Sequence, residues 1–449
     1  MALKPVNDML ELINVSPGDT VLKSDLAAQN FLDDILNSVA WKEYDANTMV
    51  FLGTNSLESG AFRNITGIFG DLLVANRVPQ FSANFSYPLD TRNNNAFLVG
   101  SGVVDYNVNK LRVRSGITIS SKATVRSKRF LRYTSGRDAE MMFTAIFTAG
   151  VVGTFQCAGL FDDEDGFMIG FKDDKFSVIR RFDGQPDEVI NQENFNGDKL
   201  DGNGISKFLL DPTKINIYRI TYGYLGTAPI QFQISLPDGA TNNKWVTFHQ
   251  IDRRNLVTDT SVRIPYLPLS VEVDNGLTTN DIVIQSGSVY AGTFDGTGVD
   301  RAARYFAASS TPVAISIGID ERVIVFHNKE NFNGIENHIE AMLLKLTGAV
   351  EGNKPVKLEI YKLPDQTNGA GTWAAVDINN SVMEASEDVV IVQTNKRLVY
   401  SATLSKSDSF RDDVESLFIN LLPGEYAGVL ATTTAVTDVV ASFHWKELF

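Results

Sequence analysis

The chain is poor in cysteine and histidine, with one cysteine and four histidines among 449 residues. A single cysteine excludes an intrachain disulfide, and the scattered histidines exclude a Cys/His metal framework. The cysteine, Cys157, stands inside an apolar run. We therefore expect it to be a small buried hydrophobic residue, which is the usual behaviour of a free cysteine.

The sequence also lacks the common motifs of catalysis and membrane insertion. It contains no P-loop, GxSxG, dinucleotide-binding or HExxH motif. No segment approaches the roughly 20 apolar residues of a membrane span, and the first fifteen residues contain no run of signal-peptide length. We expect no membrane partner and no secretion by a standard signal.

The charge balance is acidic, with a formal net charge of −14. Because binding to phosphate requires clustered Lys and Arg, this balance predicts no direct nucleic-acid role. The clearest basic cluster consists of Lys122, Arg126, Lys128 and Arg132. Pairing with the chain's own acids is the simplest interpretation, and an acidic neighbouring subunit, a phosphorylated glycan or DNA are the alternatives.

The hydrophobic pattern predicts a mainly β protein. In residues 125–202, apolar and polar residues alternate with the two-residue period of a strand, and Asp165-Gly166 marks a hairpin turn. The stripe of Tyr218, Ile220, Tyr222 and Tyr224 fits sheet packing better than a sugar-binding platform. We predict two or more antiparallel β-sandwich domains of jelly-roll or lectin-like type, with a small helical N-terminal region.

Composition and turn positions suggest three regions. Residues 1–84 form an N-terminal attachment region, residues 85–304 a central β-sandwich domain, and residues 305–449 a jelly-roll-like β domain. Within the first region, a helix is predicted at 25–40, with Ser24 as its cap. Its apolar stripe, which includes Leu32, Ile35 and Leu36, would cover either the chain's own β-structure or another subunit.

The densest acidic cluster lies at residues 162–165. Asp162, Asp163 and Asp165 could hold Ca²⁺ through oxygen ligands, although the spacing differs from that of an EF-hand. The alternative is a solvated turn whose carboxylates bind nearby backbone amides. A glycosidase pair of carboxylates is a third interpretation. We expect no cofactor apart from this candidate calcium ion.

Residues 121–273 contain a series of short motifs: SKR at 127–129, RYTSG at 132–136, TAIF at 144–147 and GLFDDEDGF at 159–167. This series resembles a domain in virion structural proteins of tailed bacteriophages and some large DNA viruses. The closing HWKEL at 444–448 is similar to the end of such chains. The resemblance implies a part of a virion and no reaction.

We therefore expect a structural component of a virus particle, from a tailed phage, that is associated with capsid or tail and is not an enzyme. It would assemble in the host cytoplasm into a homo-oligomer, with a trimer favoured, alongside other virion proteins. The alternative is a receptor-binding or glycan-binding tail fibre or spike, in which Trp245 and Trp373 contact host surface glycan. A glycan-degrading tail enzyme is a further alternative.

Overall fold

The computed structural model describes residues 76–448, apart from 225–226, 239–241, 296–302, 319, 353, 364–370, 392–395 and 407. Over this range the protein is built from antiparallel β-sheets, and helix is confined to two 3₁₀ turns, Gln192–Asn194 and Glu415–Leu417. The prediction of a mainly β protein is confirmed. The predicted helix at 25–40, with Leu32, Ile35 and Leu36, lies outside the described residues.

Sixteen strands form the first sandwich. They are β1 (Asn76–Asn84), β2 (Asn94–Val99), β3 (Val103–Tyr106), β4 (Leu111–Arg114), β5 (Lys122–Leu131), β6 (Ala139–Phe147), β7 (Phe155–Phe161), β8 (Gly166–Lys172), β9 (Lys175–Arg181), β10 (Glu188–Asn191), β11 (Asn216–Tyr222), β12 (Ile230–Asp238), β13 (Asn242–Ile251), β14 (Leu267–Asp274), β15 (Val283–Ser286) and β16 (Ser288–Asp295).

These strands form two sheets that face each other. The nine-stranded sheet has the order β13-β12-β11-β6-β15-β4-β3, with β16 between β6 and β1. The seven-stranded sheet has the order β10-β9-β8-β7-β14-β5-β2. Alternate residues of both sheets point inward, and residues such as Phe143, Tyr218 and Phe167 build one continuous core between them. Each strand therefore also presents a second face to the outside.

Fourteen further strands follow, and twelve of them form the second sandwich. They are β17 (Arg304–Ser309), β18 (Val313–Ile315), β19 (Glu321–Asn328), β20 (Asn331–Phe332), β21 (Ile335–Glu336), β22 (Glu340–Glu351), β23 (Val356–Leu363), β24 (Ala374–Ala375), β25 (Met383–Ser386), β26 (Arg397–Leu404), β27 (Ser409–Asp413), β28 (Asn420–Leu421), β29 (Tyr426–Thr433) and β30 (Thr437–Leu448). The remaining two, β20 and β21, pair only with each other.

The second sandwich has a core of its own, between two six-stranded sheets. Its largest buried side chain is Trp445 on β30. Two residues further on, buried Glu447 accepts hydrogen bonds from Ser381 Oγ (2.5 Å), the Val382 amide (3.0 Å) and Trp445 Nε1 (3.0 Å). These bonds tie the end of β30 to the segment that precedes β25.

The N-terminal boundary of the first sandwich differs from the predicted one. Strand β1 pairs with β16 from Asn76↔Asp295 to Asn84↔Ser288. The last nine residues of the region predicted at 1–84 are therefore part of the nine-stranded sheet. Phe81 on this strand is buried in the first core, which is why the strand belongs there.

None of the described residues belongs to a helix long and apolar enough to cross a membrane. Cys157 on β7 is fully buried, as predicted, and burial raises the pKa of its thiol well above the ordinary value. The sole thiol of the chain is therefore protonated and shielded from solvent.

Candidate functional site on the nine-stranded sheet

The outer face of the nine-stranded sheet is unusually polar for a buried surface. On β6, Met141 and Phe143 point into the core, so Glu140 and Met142 point outward. The neighbouring strands place further polar and aromatic residues beside Glu140. We call this set the Glu140 face; it comprises Glu140, Arg219, Gln231, Gln233, Trp245, Thr247 and Tyr290.

Glu140 lies at the centre of this face and is fully buried. Its Oε1 accepts a hydrogen bond of 2.5 Å from Arg77 Nε on β1, and Arg219 Nη1 on β11 lies 3.8 Å from its Oε2. Burial raises the pKa of the carboxyl group, and the two arginines act in the opposite direction. One carboxylate thus connects three strands of the sheet.

Arg219 connects Glu140 to the edge of the sheet. Its Nε donates to Gln233 Oε1 at 2.6 Å, and its guanidinium lies over the ring of Trp245, 4.3 Å from the centroid. Burial lowers the pKa of Arg219 to about 10, which leaves it charged at neutral pH. The guanidinium therefore contacts Gln233, Glu140 and one face of the Trp245 ring at the same time.

Two buried polar atoms of this face make no hydrogen bond within the described chain: Glu140 Oε2 and the Tyr290 hydroxyl. Burial raises the pKa of Tyr290 to about 12, so its hydroxyl remains protonated. Between the two residues lies Gly292, where a Cβ would come within 2.5 Å of the Tyr290 hydroxyl. Because glycine has no side chain, Gly292 leaves room for the Tyr290 ring and for the Val78 carbonyl of the neighbouring strand.

The two tryptophans predicted to contact glycan are far apart in the sequence and lie on different sandwiches. Trp245 is half-buried on β13 and belongs to the Glu140 face. Trp373 packs in a small hydrophobic cluster on the outside of the second sandwich, 5.8 Å from the ring of Tyr426 and 5.5 Å from that of His327. The structure therefore does not bring them together into one groove.

The acidic loop between β7 and β8 is a tight turn whose carboxylates have partners in the protein. Asp162 Oδ1 accepts the amides of Glu164 (2.8 Å) and Asp165 (2.7 Å), and Asp163 pairs with Arg126 at 2.9 Å. Buried Asp165 accepts the Arg263 amide at 2.9 Å. This arrangement matches the alternative of a turn that binds its own backbone amides.

Arg263 also neutralises the outside of this loop. Its guanidinium contacts Glu164 and lies 2.9 Å from Asp183. In the described part of the chain, no group of three or more His, Cys, Asp or Glu side chains is placed to hold a metal ion. Calcium at Asp162, Asp163 and Asp165 stays a prediction, and the loop geometry does not depend on it.

Sequence reasoning missed the Glu140 face, except for Trp245. One signal was present: Glu140 is the only charged residue in β6, AEMMFTAIF. A lone charge in an otherwise apolar strand must be paired when it is buried. Its partners Arg77 and Arg219 are 63 and 79 residues away, so the sequence pattern could not identify them.

No family model and no curated protein matches this chain. Among solved structures, it is similar to a putative beta-glucanase from Mycobacterium abscessus, with 14% identity and a TM-score of 0.33 over 48% of this chain and 100% of that one. It is also similar to a Bacillus licheniformis beta-glucanase, with 11% identity and a TM-score of 0.30 over 47% of this chain and 97% of that one. A third similar structure is a legume lectin-like domain from Entamoeba histolytica, with 13% identity and a TM-score of 0.29 over 46% of this chain and 95% of that one.

Proposed function

We propose that the protein is a non-catalytic structural component of a virus particle, from a tailed phage, and that it acts as an oligomeric subunit of the capsid or tail. Other virion proteins would be its neighbours, and it would assemble in the host cytoplasm. We also propose that both sandwiches are of the jelly-roll or lectin-like type. The trimeric state favoured by the sequence stays a prediction.

The observation that carries this proposal is the position of the virion-like motifs in the fold. SKR lies on β5, TAIF lies on β6, and GLFDDEDGF forms the β7–β8 hairpin. Phe147, Leu160 and Phe167 of these motifs are buried in the first core. Trp445 and Glu447 of the closing HWKEL motif are buried in the second sandwich. The resemblance therefore rests on residues that build the scaffold.

The state of the carboxylates supports binding and assembly over catalysis. A glycosidase requires two carboxyl groups that both reach the sugar, one as general acid and the other as general base or nucleophile. Here Glu140 is paired with Arg77 and Arg219. The carboxylates of the acidic loop are paired with Arg126 and Arg263 or accept hydrogen bonds from backbone amides. These groups act as fixed charges that orient their neighbours.

Cryo-EM together with mass spectrometry of purified particles tests the proposal. We expect peptides of this chain at a constant copy number per particle and density for two β-sandwiches per subunit. Peptides found only in the particle-free fraction of the lysate would contradict it. Release of reducing ends from a polysaccharide, lost in E140Q, would contradict the non-catalytic part alone.

A second candidate function, glycan binding, is favoured by the Glu140 face. Trp245 and Thr247 are partly exposed on β13 and offer an aromatic surface and a hydroxyl group, and buried Arg219 packs against the Trp245 ring from within the sheet. Aromatic and hydroxyl-binding groups side by side suit a sugar, which has an apolar ring face and polar edges.

A glycan microarray separates this candidate from the purely structural role. We expect the wild type to bind a defined set of glycans and W245A to lose that binding. Y87A is the matched control, because Tyr87 is 79% exposed and lies elsewhere on the same sandwich. Equal binding by wild type and W245A, or binding to no glycan, would contradict the assignment of this face.

A further inference from the structure

Among the described residues, the seven-stranded sheet ends at β2. This strand, Asn94–Val99, pairs with β5 in unbroken register, and no described strand pairs with its other side. Five of its six residues are exposed. Sheet edges are normally protected from further pairing by lysine, proline or a bulge. The sequence NNAFLV has none of these features.

The side chains at this edge are apolar as well. Phe97, Leu98 and Val99 are each about half exposed, and Val103 on the next strand is 42% exposed. Nearby loop residues add to this surface. We call the set the β2 patch; it comprises Phe97, Leu98, Val99, Val103, Ile117 and Ile119.

Hydrogen bonds hold the two parts of the β2 patch together. The Ser101 amide donates to Ser121 Oγ at 2.9 Å, and the Thr118 amide donates to Ser101 Oγ at 3.0 Å. The 100–103 turn and the 115–121 loop are therefore fixed against each other. Ile117 and Ile119 stay beside β2 because these bonds anchor their loop.

Charge does not oppose a copy of the chain at this place. Lys122 and Arg126 on the adjacent strand pair with Glu272 (2.9 Å) and Asp163 (2.9 Å). The β2 patch itself carries no charged side chain. Although the whole chain has a net charge of −14, the local surface is neutral and repels an identical surface weakly.

We propose that β2 pairs with β2 of a second copy of this chain, antiparallel and about a two-fold axis. Identical strands in this arrangement are self-complementary, so each copy supplies the backbone donors and acceptors that the other lacks. With the axis beside Leu98, Leu98 lies opposite Leu98 of the other copy, and Phe97 of each copy lies opposite Val99 of the other, on one face of the joined sheet. The two seven-stranded sheets join into one sheet that crosses the interface.

The size of the patch is adequate for such a contact. Six side chains that are about half exposed present on the order of 500 Å² of apolar surface, more than half of the roughly 800 Å² that each partner buries in a standard stable interface. The paired backbones and flanking loops add further area. A two-fold contact gives a dimer, so a trimer would require a different contact.

Light scattering coupled to size-exclusion chromatography of the full chain tests this inference at several concentrations. We expect a dimer for the wild type and a monomer for F97K/V99K, since two lysines protect an edge strand. I205K/L209K is the matched control and should stay dimeric, because both residues are exposed on a loop of the same sandwich away from β2. Circular dichroism checks that each variant folds.

Hydrogen exchange supplies a second measurement that needs no variant. Amides of residues 94–99 should exchange more slowly at high than at low protein concentration, because only the dimer protects the open side of β2. A wild type that is monomeric at all concentrations would overturn the inference. So would an oligomer whose mass is unchanged by F97K/V99K. Neither result bears on the presence of the protein in virus particles.

Discussion

The ring of Phe130 at the end of β5 stacks on the ring of His338 before β22, with 4.1 Å between centroids and 14° between planes. Beside this pair, Arg129 Nε lies 3.6 Å from Glu340 Oε1. Phe130 belongs to the first sandwich and His338 to the second. A stacked ring pair and one ion pair therefore join two domains that have separate cores.

We predict that F130A weakens the contact between the two sandwiches without unfolding either of them. The ring lies outside the first core, so its loss removes the contact with His338 and little internal packing. Small-angle scattering should show a larger radius of gyration, while circular dichroism stays unchanged. F182A, which removes another half-buried ring from the same sandwich, is the control. An unchanged radius in F130A would contradict the prediction.

Replacing Glu140 should be costly, because it would leave Arg219 buried without its acidic partner. We predict that E140L lowers the free energy of unfolding by about 3 kcal/mol, the range found when one member of a buried ion pair is removed. The double variant E140L/R219L should recover a large part of this loss, since no buried charge then lacks a partner. Urea unfolding of the two variants measures the difference. If the E140L variant were as stable as the wild type, the contacts of Glu140 with Arg77 and Arg219 would contribute nothing to the free energy of unfolding.

Local signals in the sequence predicted the strands and turns well. Asp165-Gly166 marks the end of the β7–β8 hairpin, and Tyr218 and Tyr222 lie in the core as the sheet-packing interpretation required. Such features depend on alternation and on turn chemistry, which act over a few residues. Cys157 was predicted to be buried for the same kind of local reason, namely its apolar neighbours.

Features that depend on distant partners could not be predicted. Apolar and polar residues alternate from Leu111 to Ile119, which is typical of a single strand, but β4 ends at Arg114. The Asn275 side chain, far along the sequence, donates to the carbonyls of Gly116 (3.1 Å) and Thr118 (2.7 Å) and holds that segment as a loop. The Glu140 face has the same origin, since the pairing of β6 with β11 and β16 creates it.

Because His249 is buried, we expect part of the free energy of unfolding to be lost at acidic pH. Burial lowers its pKa from the ordinary 6.5 to about 4, and its Nδ1 accepts the Asn196 amide at 3.3 Å. The unfolded chain binds a proton near pH 6.5, whereas the folded chain binds it only near pH 4. This contribution is therefore present above pH 6.5 and lost as the pH falls toward 4.

We predict that the free energy of unfolding of the wild type falls between pH 7 and pH 4.5 by more than that of H249Q, which does not titrate in this range. Urea unfolding at several pH values measures both curves. H327Q is the control, because it removes a different histidine, one that pairs with Glu384 at 2.7 Å. Parallel curves for wild type and H249Q would contradict the prediction.

The acidic loop provides a direct test of the calcium prediction. Arg263 contacts Glu164 and Asp183 and donates its amide to Asp165, so it supplies positive charge beside these carboxylates. We predict that CaCl₂ leaves the melting temperature of the wild type unchanged. It should raise that of R263M, in which the carboxylates have lost their counter-charge. Differential scanning fluorimetry, with MgCl₂ and NaCl at matched ionic strength as controls, separates specific binding from screening. A calcium-dependent rise in the wild type that is lost in D165N would instead establish the metal site, and Arg263 would then be a neighbour of the ion.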